Sequence, residues 1–254
     1  VAVGSYSLDA NTEGENNVAI GQSALGSNTT ADDNTAVGFA SLSQNTTGTE
    51  NVAVGKSALG VNTTADRNTA VGDSALVANT TGASNTAVGS SSLYTNTTGN
   101  YNVSIGRSSA YYNTTGSQNI AIGFQALENN TTADDNVAVG FKALEDNTTG
   151  HSNTGVGTNA GMNITTGVEN TCIGHNAGDS ITSANYNICI GHGTDPGNSD
   201  GYAINIGYDI GIDGNFVAFG KASNIVYNGF TSNASWTRVS DERLKKNVAT
   251  NTLD

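Results

Sequence analysis

The sequence is short of almost everything that builds an ordinary globular domain. In 254 residues Pro, Met and Trp each occur once and Cys twice, and only 12% of residues are charged. Two cysteines exclude a disulfide framework. No apolar run approaches the roughly 18 residues of a spanning helix, so membrane insertion is not expected. Basic residues are scarce as well: 9 against 22 acidic, for a net charge of −13. Phosphate neutralisation needs the opposite sign, so nucleic acid is not an expected partner. Position 1 is Val rather than Met and no signal peptide follows, so the chain reads as a piece of something longer. Asn, Thr and Gly, by contrast, supply 100 residues between them. That composition suits either disorder or a repeat architecture.

The spacing of glycine decides between them. Gly recurs at every 17th position from Gly4 to Gly191, twelve times without an insertion. A disordered tract would not hold phase so long. One clear copy is Asn51-Val52-Ala53-Val54-Gly55, then Ala58-Leu59, then Asn62-Thr63-Thr64-Ala65. The period is too short for helical repeats and suits one coil of a solenoid. The expected fold is all-β, a parallel β-solenoid or β-roll of 17-residue coils.

Within each coil, Val37, Val54 and Ile105 hold one β-branched column, and Thr35, Val52 and Val103, two residues earlier, share its face. The residue between is always small: Ala36, Ala53, Ser104, later Gly155, Cys172 and Cys189. Such a column implies close approach of another backbone, either the opposite wall of the coil or a neighbouring chain. Pairs such as Ala24-Leu25 and Ala143-Leu144 mark the second half of the coil. Two Asn columns, Asn17 to Asn187 and Asn11 to Asn147, predict ladders of stacked amides. Twelve coils at about 4.8 Å each give a rod about 58 Å long. One Leu and two β-branched residues per coil make a thin core, so further burial between copies of the chain is expected.

After Gly191 the period fails: Gly207 comes 16 residues later and Gly220 another 13. Residues 1–195 read as the shaft. Residues 196–239, with Tyr202, Tyr208, Phe216 and Trp236, read as an aromatic β neck or cap. Residues 240–254 begin with an N-cap Ser240, then Asp241 and Glu242, then Arg243, Lys245 and Lys246, the signature of a short helix start.

Several motifs have a chemical and a plain reading. Each Asn-Thr-Thr is formally a glycosylation acceptor, but the repeat itself accounts for it. The Thr columns (Thr29, Thr46; Thr30, Thr47) could present an ice-binding array, although adjacent residues face opposite sides and only one column can face out. His175 and His192 stack in adjacent coils and are the only candidates for a metal, if three chains brought them to one axis; exposed corner residues are the expected reading, with no metal and no cofactor. Cys172 and Cys189, one coil apart, are expected as free thiols. Asp195-Pro196-Gly197-Asn198 with Asp209 and Asp213 reads as a surface turn rather than a calcium loop. No acid pair or Ser/His/Asp arrangement points to an enzyme acting on an external substrate.

The Asn-Val/Thr-Ala-Val/Ile-Gly block over residues 1 to about 195 resembles the head repeat of trimeric autotransporter adhesins, and similar repeats occur in phage tail fibres. Ser240-Asp241-Glu242-Arg243-Leu244-Lys245-Lys246-Asn247 resembles the opening of the intramolecular chaperone that ends phage tail spikes, the self-cleaving S74 peptidase family. That resemblance implies Ser240 as nucleophile and Lys245 as its base, active only in a precursor carrying the whole chaperone. Together the resemblances imply an elongated homotrimer: an adhesive tail fibre or spike, extracellular on a virion. Its partners would be a host glycan or protein receptor and other tail or fibre proteins upstream. The alternatives are a trimeric adhesin on a bacterial cell surface and a monomeric ice- or glycan-binding solenoid.

Overall fold

The computed structural model describes residues 1–198 and 201–229 and the backbone of 237–239. Strand β1 (Ala2–Val3) is followed by β2 (Val18–Ile20), and a three-residue strand then recurs every 17 residues to β12 (Ile188–Ile190). All pair in parallel and in sequence order, and the register joins equivalent positions, as in Ala36↔Ala53 and Val37↔Val54. The stack continues through β13 (Ile204–Tyr208) and β14 (Phe216–Lys221), which are also parallel. It then reverses into the antiparallel strands β15 (Asn224–Gly229) and β16 (Thr237–Val239). The helix expected over 240–254 lies outside the described residues, as do Phe230 and Trp236.

Hydrogen bonds run between coils around the whole circuit, not only at the strands. In the coil that follows Asn51, Val52 donates to Asn68, Leu59 to Ala75, Thr63 to Thr80, and Arg67 back to Thr49. Backbone polar groups of the corners are thereby paired, as buried groups must be. Turns carry the chain between these rungs. Ala58 N–H donates to Gly55 C=O and Gly60 N–H to Ser57 C=O. The third residues of those turns, Ser57 and Leu59, adopt φ of 55° and 50°, as type II geometry demands. Gly55 bends the strand into the first turn at φ +137°, and a Cβ there would lie 2.3 Å from the carbonyl oxygen of Gly72. Only glycine meets both conditions.

The core corrects one expectation. The small column points inward and touches the opposite wall: Ala36, Ala53 and Ala70 are fully buried, and a Cβ on Gly155 would meet the carbonyl oxygen of Ala160 in its own coil and Leu144 Cγ in the preceding one, both at 2.9 Å. The β-branched columns on either side face outward, half-buried or exposed. The interior of a coil is therefore Ala53, Ala58 and Leu59 with Asn51 and Asn62, all fully buried. A lumen only two short side chains wide explains the restriction to small residues. Thr appears in the outward column because it tolerates water.

Both Asn columns form ladders. In the first, Asn34 Oδ1 accepts the backbone N–H of Asn51 at 3.0 Å, while its Nδ2 donates to Gly48 C=O at 2.9 Å. In the second, Asn62 Nδ2 donates to Asn45 Oδ1 at 2.9 Å and to Ala65 C=O at 3.0 Å. The amides replace the apolar bulk that the narrow lumen cannot hold, at about 1 kcal/mol net per bond.

Candidate functional surface

The outward side of the sheet is a face four residues wide. In the coil of β4 (Val52–Val54) its rungs are Glu50, Val52, Val54 and Lys56, with Asn51 and Ala53 turned inward. From β2 through β13 every residue in the two central columns is Val, Ile or Thr. Ile20, Ile105 and Ile173 are about two-fifths exposed (41%, 40% and 38%). A continuous uncharged strip of this length is a candidate surface, because large bare apolar patches are uncommon on folded chains. The repeat made the strip legible, but its outward direction was missed. The signal was the alternation of Thr with Val in the first column.

Two exposed columns border the strip. One comprises the residues just before the first Asn ladder: Asp33, Glu50, Arg67 and onward to Tyr186 and Tyr202. The other comprises the residues that follow the corner glycine: Phe39, Lys56, Asp73 and onward to His192 and Tyr208. Rings in these columns stack at the coil rise. His175 and His192 lie 5.0 Å apart at 25°, His192 and Tyr208 5.0 Å apart at 11°, and Lys221 Nζ caps Tyr208 at 5.4 Å. Phe124 and Phe141 stack at 5.6 Å beneath Arg107, whose guanidinium is 5.7 Å from the Phe124 ring. Tyr186 and Tyr202 do the same at 5.0 Å. The histidines lie ring on ring at an exposed corner, and among the described residues of one chain no three His, Cys, Asp or Glu side chains group to hold a metal.

The remaining motifs resolve into structure. Nδ2 of Asn28, Asn45 and Asn62 is spent on the ladder, so the Asn-Thr-Thr acceptors are buried in the folded chain. Of the two Thr columns, Thr46 and its equivalents donate Oγ1 to the next coil's carbonyl, as in Thr46 to Thr63 at 3.0 Å. Thr47, Thr64 and Thr81 are exposed in single file, without a second Thr column beside them. Cys172 and Cys189 are free and buried; a hydrogen bond between them, and then burial, pushes the Cys189 thiol far above its ordinary value. Asn198 Oδ1 caps the N–H groups of Thr182 and Ser183, both at 2.9 Å, and Asp195 Oδ1 accepts from Gly197 N–H, so this segment is a capping turn. Burial, then the neighbouring Asp195, holds the Asp179 carboxyl above the usual range. Ser240 and Lys245 lie outside the described residues.

No protein-family model, curated protein or solved structure matches the chain.

Proposed function

We propose that the chain is the shaft of a homotrimeric adhesive fibre that attaches a virion, as a tail fibre or spike, to a host-cell glycan or protein. The observation that carries this reading is the uncharged Val/Ile/Thr strip along the outward face. A single chain leaves it in water, and association of copies covers it. The rod form suits presentation at a distance. The likeness of the repeat to adhesin heads and tail fibres, and of the 240–247 segment to a self-cleaving chaperone, supplies the host-attachment part of the reading.

Light scattering of the purified chain is expected to give three times 25.7 kDa, with a band that survives SDS without heating. A mass of 25.7 kDa would overturn the assembly. A second test addresses processing. In a longer chain carrying a complete chaperone domain, Ser240→Ala and Lys245→Ala are each expected to leave the precursor uncut on a gel. Cleavage that persists in both variants overturns the nucleophile and base assignment.

A further inference from the structure

In several coils the two exposed columns at the edges of the outward face carry complementary residues. Each coil contributes one residue to each edge, six positions apart in sequence. Glu50 at one edge shares its coil with Lys56 at the other, Arg67 with Asp73, and Glu169 with His175. Tyr101 likewise shares its coil with Arg107, an aromatic face with a guanidinium. Where one edge is small, so is the other, as in Ser84 and Ser90. Within a chain these partners do not meet, because the strand lies between them. The ion pair that does form, Arg67 to Glu50 at 3.3 Å, runs along one edge between coils.

We infer that the outward face is a self-association surface on which parallel copies of this chain pack in register, one copy's pre-ladder edge against its neighbour's post-glycine edge. This rests on the assembly proposed above and adds its interface, direction and register. A rotation axis parallel to the rod and in front of the outward face brings one edge of each copy against the opposite edge of the next, at the same height. The charge pattern then becomes an alignment code. In register, Glu50 faces Lys56 and Arg67 faces Asp73. Slipping one coil in one direction sets Glu50 against Asp73; slipping in the other sets Arg67 against Lys56. Either slip creates a like-charge contact while burying the same apolar strip. An antiparallel copy would scramble all heights. A strictly uniform repeat could slip by whole coils at little cost; these edge residues give the shaft a register of its own.

The test is disulfide cross-linking of the purified chain. Residues 50 and 56 of one copy are separated by the strand of β4, with three residues at about 3.3 Å each plus flanks, beyond the roughly 7 Å reach of a disulfide. Glu50→Cys with Lys56→Cys is therefore expected to give covalent oligomers under mild oxidation, several-fold more than the slipped pair Glu50→Cys with Asp73→Cys. Light scattering of both variants is read alongside. An oligomeric mass with no preference for the in-register pair overturns this interface and leaves the assembly standing. A monomeric mass overturns both.

Discussion

Gly72→Ala is expected to cost more than about 4 kcal/mol and to break the rod locally rather than soften it. Three facts set that size. Gly72 holds φ at +140°, where an L-residue is strained. A Cβ would lie 2.4 Å from the carbonyl oxygen of Gly89 and 2.6 Å from its carbon. Those atoms are backbone, fixed in turn by the coil above, so nothing flexible can yield. In an array where each unit touches only its neighbours, the loss falls on two interfaces at once. Urea unfolding followed by far-UV circular dichroism should show a large fall in midpoint. Gly214→Ala is the control: φ is +77° but nothing lies within 4 Å, so only the conformational cost of about 1–2 kcal/mol remains. Equal midpoints for the two variants would refute the corner geometry.

The second large effect concerns an exchange inside the core. At the position of Leu59 and Leu144 in other coils stand Gly161 and Gly178. In the same two coils the Asn ladder is replaced by Ile164 and Ile181, and the small column carries Gly155 and Cys172. The changes compensate in volume. A Cβ on Gly161 would sit 2.8 Å from Leu144 Cδ2 and 3.0 Å from Ile164 Cδ1, because Ile164 and its neighbours already fill the space a Leu would take. The backbone is not the obstacle, since Gly161 has φ +61° and Leu144 holds φ 51° at the equivalent place. The ladder records the exchange. Asn147 Oδ1, which would accept from an Asn at 164, is buried without a partner. Gly161→Leu and Ile164→Asn are each expected to destabilise by about 2–4 kcal/mol, one by overpacking and the other by leaving a hole beside a buried amide. The double variant rebuilds the commoner coil and gives Asn147 its donor, so at least half of the summed loss should return, a coupling of about 2 kcal/mol or more. Thermal unfolding of the three variants measures it. Strictly additive losses would mean that the two sites do not share one space.

Much of this is legible in the sequence itself. The spacing of Gly4 to Gly191 specified coil length, parallel pairing and register, because a strictly periodic chain that stacks must place equivalents on equivalents. The Asn columns announced the ladders for the same reason. What was not legible was direction. Val52 and Val54 looked like core because they are apolar, whereas the coil is too narrow to hold them and turns Ala53 inward instead. Hydropathy alone misleads where lumen width decides. The positive φ of Leu59, Ser57 and Arg67 was also hidden, since no glycine marks those positions and their conformation follows from stacking on the coils above and below. The candidate surface was half legible: the strip was present as a pattern, but its edges gain meaning only once 50 and 56 are seen to border one face.

That both edges belong to one block of 17 residues has a consequence for how such a rod changes over generations. Recombination between neighbouring blocks removes or duplicates whole coils, and each event shortens or lengthens the rod by about 4.8 Å. The block from Glu50 to Asp66, for instance, contains Glu50, Val52, Val54 and Lys56, one whole rung of the face, and its ends join onto near-identical sequence. A gene edited in this way alters every copy alike. Each copy loses or gains the same rung at the same height, and the remaining rungs still meet their partners. Reach can therefore be tuned as on a ruler, one graduation at a time, without a new fit having to be found between the chains.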